Sequence, residues 1–528
     1  VRVARDVSTG GARERVSLDP KTRQQLLDVR TYIQNNWLTS DSTPIYGFNT
    51  GVGRLKNWRV PLARMREFQQ LLINAHAAGT GDPFPEDVVR AVLLLRLNAN
   101  ARGHSGVRVE LLDRLIEMLN AGIHPVIPRQ GSVGASGDLA PLAYVAAVLM
   151  GQPQAQVIRT GGAVSAESAF REASVEPTFE LEAKEALALV NGSTVSLAVA
   201  VLASHDANTC SETGDVALAL SMEAMRCELA AFDERLHAAR PHLGQVTTAR
   251  RVRRLLAGSE RCSTLGRSIT LDDEIRVGTL TQRVQDAYSI RCAPQVHGPV
   301  RDALEYVRTI LTVELNSATD NPLIFADSDG IGFHVLSGGN FHGQYLAQAT
   351  DILSIALTDL GSISERRAAR LLDPTMSYGL PFNLVGKEPG LNTGFSIAQC
   401  TMAALTTENK SLCWPASVDS IPTKSNQEDH VSNSTWCARK ATLIVDNVCV
   451  IIAIELLLAA QAISITESQL GGLRLGDGTK AAYDLIRREI PAALGADRWL
   501  HDDIMTLARL VREGTIASVA LEALPEER

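Results

Sequence analysis

Residues 131–143 read Gly-Ser-Val-Gly-Ala-Ser-Gly-Asp-Leu-Ala-Pro-Leu-Ala and set one reactive side chain, Ser136, among neighbours too small to obstruct it. Glycine at 134 and 137 opens backbone conformations closed to bulkier residues. The stretch reads in two ways. One is a glycine-rich turn capping a helix, with Asp138 where a helix N-terminus favours negative charge and Pro141 in the first turn. The other is chemical. If the Gly137 amide nitrogen attacks the Ala135 carbonyl carbon and two waters are lost, one carrying the Ser136 hydroxyl, the product is a methylidene-imidazolone ring. That ring is an electrophile made from the chain itself.

The uninterrupted run Gly134-Ala-Ser-Gly-Asp-Leu-Ala-Pro-Leu142 resembles the signature of the aromatic amino acid ammonia-lyases and 2,3-aminomutases, which carry this self-derived group (MIO). Other stretches resemble the same family in the expected order. Pro44-Ile-Tyr-Gly-Phe-Asn-Thr-Gly-Val-Gly53 is similar to a loop whose tyrosine serves as base, which implies that role for Tyr46. His76, in a helical stretch ending at Gly79, falls at a ring-facing position. The Asn191-Gly192 pair breaks a helical pattern, and the resemblance places Asn191 against the MIO and the substrate amine. In residues 284–298 it implies that Arg291 clamps the carboxylate, with Tyr288 and Gln285 hydrogen-bonding around the MIO and substrate. Planar bidentate recognition of a carboxylate calls for arginine. Asn321 and Phe341 are implied as substrate contacts. The run 415–432, with Glu428, is similar to members acting on histidine, because a carboxylate can accept an imidazole N–H that a benzene ring lacks.

The elements that must position these residues read as helices. Helical patterns cover 20–33 and 68–79, two amphipathic ones separated by a turn at 102–108 lie within 88–119, and an alanine-rich one runs from about 194 to 232. Residues 152–180 are more polar, with Gly161-Gly162 and Pro177, and predict loops or short strands. Residues 441–460 are apolar at nearly the length of a membrane span, yet Asp446, Asn447 and Glu455 interrupt them, which predicts a buried core or interface helix. The family, resembled over roughly 44–461, implies a mainly α fold. It is a long-helix bundle of the aromatic amino acid lyase (fumarase/aspartase-like) type, with a small irregular N-terminal part carrying the active-site loop. We divide it into an MIO-bearing N-terminal domain, 1–210, and a central bundle with C-terminal helices, 211–528. A homotetramer whose active sites draw on several subunits is implied by the same resemblance.

Composition narrows the classes. The 528 residues carry a formal charge of −8, with no basic footprint for nucleic acid. Eight cysteines without CxxC pairs predict reduced thiols and no metal site, and the first residues lack the apolar run of a signal peptide. The expectation is a cytoplasmic enzyme with no nucleic-acid or membrane partner and no external cofactor.

The implied reaction removes ammonia from an aromatic L-amino acid to leave an α,β-unsaturated acid. The MIO makes the amine a leaving group and Tyr46, its pKa lowered by its surroundings, takes the β-proton. His76 and Glu428 favour histidine, giving urocanate. Ala293, Gln344 and Asn383 depart from histidine-acting members and keep tyrosine or phenylalanine ammonia-lyase or 2,3-aminomutase activity as the alternative. A non-catalytic helical scaffold would have no use for Ser136, Tyr46 and Arg291 together.

Overall fold

A computed structural model describes residues 2–5, 14–39, 42–269, 271, 284–328, 331–470 and 472–524. The sequence boundary at 210/211 falls inside a long helix. By compactness the chain divides instead into two discontinuous units: residues 1–202, 308–351 and 415–439, and residues 203–307, 352–414 and 440–528.

The first unit is built from helices α1 (Pro20–Asn36), α2 (Met65–His76), α3 (Glu86–Ala101), α4 (Val109–Ala121), α5 (Leu139–Leu149) and α6 (Glu185–Val190). The apolar spacing accounts for them: α2 buries Met65, Gln69, Leu72 and Ile73, one face of a helix. Three antiparallel pairs are the described strands of this unit: β1 (Thr80–Pro83) with β2 (Pro128–Gln130), β3 (Gln156–Arg159) with β4 (Gly162–Ser165), and β5 (Leu323–Ala326) with β6 (Phe333–Leu336). The β3–β4 hairpin falls within the polar stretch where short strands were expected. Phe48, fully buried with Val29, Ile33 and Ile324, anchors the loop that carries Tyr46.

Four longer helices follow in chain order: α7 (Thr194–Met225), α8 (Ala293–Leu315), α9 (Gln344–Leu371) and α10 (Ser434–Ile465). Among the described residues α10 is the one helix long and apolar enough to cross a membrane, and 83% of its most apolar window is buried within the protein. Its polar interruptions are all paired inside the second unit. Glu455 meets Arg367 through two hydrogen bonds of 2.6 and 2.8 Å, Asn447 bonds Asn409 at 2.9 Å, and Asp446 pairs with Arg512.

Asp138 does not cap the helix it precedes, contrary to the turn-and-cap reading. Its carboxylate accepts the Ser196 N–H (2.7 Å) in the first turn of α7, together with the hydroxyls of Ser132, Ser196 and Thr435. A buried carboxylate needs this many donors to stay satisfied, and the start of α7 has N–H groups to give.

Candidate active site

The tripeptide Ala135-Ser136-Gly137 is pinned against the Asn191-Gly192 break between α6 and α7. Asp138 N–H donates to Gly192 O at 2.8 Å, and Gly192 N–H donates to Ser136 O at 3.3 Å. Gly137 takes φ +72°, and a Cβ there would lie 2.1 Å from the Gly192 carbonyl carbon. Only glycine fits, so the nitrogen that the cyclisation requires is carried by the one residue this turn accepts. Gly134 O accepts Gly343 N–H (3.0 Å) and the Ser432 hydroxyl (2.9 Å), fixing the other end of the turn. The residues present therefore suit a backbone-derived ring at this point.

Ala135 and Ser136 form part of the wall of an open cleft of about 1460 Å³. Its lining lies wholly within the first unit, and Tyr46, His76, Asn191, Asn321, Phe341 and Glu428 all line it. Eight of the twelve candidate site residues thus share one cavity, and Gly137 follows the lining residue Ser136 in the chain.

Glu428 accepts the Ser136 hydroxyl at 2.6 Å and the Lys424 ammonium at 2.7 Å on Oε1, and the Thr423 hydroxyl at 2.8 Å on Oε2. Burial alone would raise its pKa, but these donors and the Lys424 charge outweigh it and hold the carboxyl below its ordinary value. His76 donates from Nδ1 to Leu72 O at 2.7 Å, one turn back on α2. Burial lowers its pKa, so the ring is neutral at physiological pH and Nε2 remains an acceptor. Asn191 donates to Asp320 Oδ1 (3.2 Å) and Asn321 O (3.3 Å), which leaves its side-chain oxygen to accept. Behind it Arg96, fully buried, donates to Asn191 O at 2.7 Å, and Lys184 pairs with Asp320.

Tyr46 departs from expectation. Its hydroxyl accepts Gly53 N–H at 3.2 Å, which favours the phenolate. Burial and the neighbouring carboxylates of Asp320 and Glu428 act the other way and raise the phenol above its ordinary value. The lowering expected from the sequence is not found here, because burial disfavours the phenolate and the charges nearest it are negative.

Gln285, Tyr288 and Arg291 belong to the second unit and are not among the residues lining the cleft. Tyr288 is 71% exposed, and the Arg291 guanidinium lies 4.5 Å from its ring centre. The buried Arg291 Nε has no hydrogen-bond partner among the described residues.

Sequence reasoning missed Lys424, Gln427, His342 and His430, all of which line the cleft. The His342 and His430 rings stack at 5.7 Å, and Lys56 Nζ donates to Gln427 Oε1 at 3.1 Å, linking the tyrosine loop to the 423–428 loop. The i, i+4 spacing of Lys424 and Glu428 was the available signal, though here it belongs to a turn and not a helix.

Residues 1–488 match the family model described as aromatic amino acid lyase. The chain is 45% identical over 502 residues to the histidine ammonia-lyase of Alkaliphilus oremlandii, covering 94% of each protein. Among solved structures, it aligns with histidine ammonia-lyase from Trypanosoma cruzi at 40% identity and TM-score 0.86, over 99% of this chain and 93% of that one. It also aligns with the tyrosine aminomutase from Streptomyces globisporus at 36% identity and TM-score 0.88, over 100% of this chain and 97% of that one.

Proposed function

Because the chain belongs to the aromatic amino acid lyase family and is a carbon–nitrogen lyase, we propose that it eliminates ammonia from L-histidine to give urocanate, with Ala135-Ser136-Gly137 converted to MIO. The observation that carries this reading is Glu428. An ionised carboxylate lies 2.6 Å from Ser136 Oγ in a cleft also lined by His76 and Tyr46. The histidine ammonia-lyases among the relatives support the same substrate.

The MIO, once formed, supplies an electrophile that makes the substrate amine a leaving group. The chain's own residues do the rest. Glu428, held ionised by Lys424, accepts the imidazole N–H and orients the ring. His76, neutral with Nε2 free to accept, gives the ring a second polar contact and adds no charge to repel an imidazolium. Asn191, its amide fixed by Asp320, accepts from the substrate amine. Tyr46 takes the β-proton as phenolate. Because its pKa is raised above the ordinary phenol value, that form is scarce at neutral pH and grows only towards high pH.

The substrate carboxylate needs a cation, and Arg291 suits it as a planar bidentate donor. The exposed Tyr288, with the Arg291 guanidinium against its ring, supports an assembly in which Gln285, Tyr288 and Arg291 of another copy complete the cleft, and the family resemblance makes that assembly a cytoplasmic homotetramer. The cleft volume of about 1460 Å³, against roughly 300–1,000 Å³ for small-molecule sites, fits one chain leaving the site open.

Gln344 favours a second reading. It lines the cleft, donating to Ser417 O at 3.0 Å, and on tyrosine the same site would act as a lyase or 2,3-aminomutase. Separate incubations with histidine, tyrosine and phenylalanine, followed by ultraviolet spectra and mass spectrometry for β-amino acids, test both. Urocanate from histidine alone is expected; coumarate, cinnamate or a β-amino acid as the main product would overturn the assignment.

A further inference from the structure

Ser136 carries the hydroxyl that must leave as water if the MIO is to form, and the structure shows what that hydroxyl faces before it leaves. Its Oγ donates to Glu428 Oε1 at 2.6 Å. Glu428 is held there by a compact loop, in which Thr423 N–H donates to Glu428 O at 2.8 Å and Gln427 N–H to Lys424 O at 3.1 Å. Lys424, Ser425 and Asn426 all take left-handed backbone angles, φ 48°, 54° and 60°. Three such non-glycine residues in succession are costly unless the surroundings impose them. What the loop achieves is to return both the Thr423 hydroxyl and the Lys424 ammonium onto the one carboxylate that meets Ser136.

Resting on the reading of Ala135-Ser136-Gly137 as an MIO precursor, we propose that Glu428 is the acid–base catalyst of the chain's own maturation, before it serves any substrate. Cyclisation comes first. The Gly137 nitrogen bonds the Ala135 carbonyl carbon, and the Ala135 oxygen leaves as water with the Gly137 and Ser136 amide hydrogens. The second water then needs a base at Ser136 Cα and an acid at Oγ. The Glu428 carboxylate takes the Cα proton, and the electrons of that C–H bond form the Cα=Cβ double bond. The Cβ–Oγ bond breaks with its pair on oxygen, and Glu428 returns the proton to Oγ, which departs as water. The step is redox-neutral and ends with Glu428 ionised, as it began.

Lys424 is a positioning residue here. Its ammonium shares Oε1 with the Ser136 hydroxyl and holds the carboxylate in the ionised state that the Cα proton requires. Loss of Oγ has a second consequence. The oxygen that accepted the serine hydroxyl is released to the cleft, where a ring N–H of the substrate can take its place. One carboxylate oxygen thus serves first in maturation and then in binding.

The test follows intact mass over time in freshly synthesised wild-type, Glu428→Gln and Glu428→Asp chains. Equal circular dichroism and unfolding transitions establish that each is folded. The wild type is expected to end lighter than its encoded mass by two waters. Glu428→Gln is expected to lose the second water at least about a hundredfold more slowly, the low end of what a positioned acid–base group contributes, and to accumulate a species lighter by one water. Glu428→Asp, its carboxyl drawn back from Oγ by one methylene, is expected to fall between them and serves should the glutamine variant not fold. Loss of both waters at the wild-type rate in either folded variant would overturn the proposal. A wild-type chain that retains both waters would overturn the MIO reading itself.

Discussion

Replacing Gly137 with alanine tests whether the turn against Gly192 is what prepares the tripeptide. The new Cβ would sit 2.1 Å from Gly192 C, 2.3 Å from Gly192 O and 2.4 Å from Gly192 Cα, all backbone atoms that cannot swing aside. The left-handed φ of +72° costs an alanine about 1–2 kcal/mol. Displacing the Asn191-Gly192 segment also sacrifices the two hydrogen bonds across the turn, at about 1 kcal/mol each. The sum is roughly 3–4 kcal/mol, a large share of the roughly 5–15 kcal/mol that holds a domain folded. Gly161 supplies the control in the same unit: its φ is +92°, yet a Cβ there meets nothing within 4 Å. Gly161→Ala should therefore cost about 1–2 kcal/mol and no more. Urea unfolding compares the two proteins, and intact mass reports ring formation. Gly137→Ala is expected to unfold at clearly lower urea and retain both waters, whereas Gly161→Ala matures normally. A Gly137→Ala protein as stable as Gly161→Ala and lighter by two waters would refute the reasoning.

The raised Tyr46 phenol predicts that log kcat/KM climbs with pH at a slope near one, still rising at about pH 9; a plateau from neutral pH upward would contradict it. In the second unit, Arg367→Met strands the fully buried Glu455, which is expected to cost about 3–5 kcal/mol. Adding Glu455→Gln should recover part of that loss, and thermal unfolding of the single and double variants decides.

The site was legible where chemistry is local. The proposed ring would need contiguous residues, so Ala135, Ser136 and Gly137 could be read as one stretch, and the glycine-punctuated loop around Tyr46 is likewise one short stretch. His76, Asn191, Asn321, Phe341 and Glu428 came from resemblance, and the structure collects all five in the same cleft. What the sequence hid depends on contacts between distant segments. Asp138 looked like the cap of its own helix, but its carboxylate meets Ser196 N–H, 58 residues away. The direction of the Tyr46 pKa was hidden because it depends on burial by the folded chain and on Asp320 and Glu428, which come from far along the sequence. Lys424 was overlooked because a run of three left-handed residues cannot be read from Lys-Ser-Asn, which has no glycine to announce it. The apolar stretch 441–460 was legible as a buried helix for a physical reason. Its three polar residues require partners, and Arg512, Asn409 and Arg367 supply them.

Product stoichiometry with and without Ser136 is the most direct test. Purified wild-type and Ser136→Ala proteins, incubated with L-histidine, should be assayed together for urocanate by absorbance and for ammonia by an enzymatic assay. Equal amounts of the two products are expected from the wild type and neither above background from Ser136→Ala. Urocanate formed by Ser136→Ala at the wild-type rate, or a wild type that leaves histidine untouched, would contradict it.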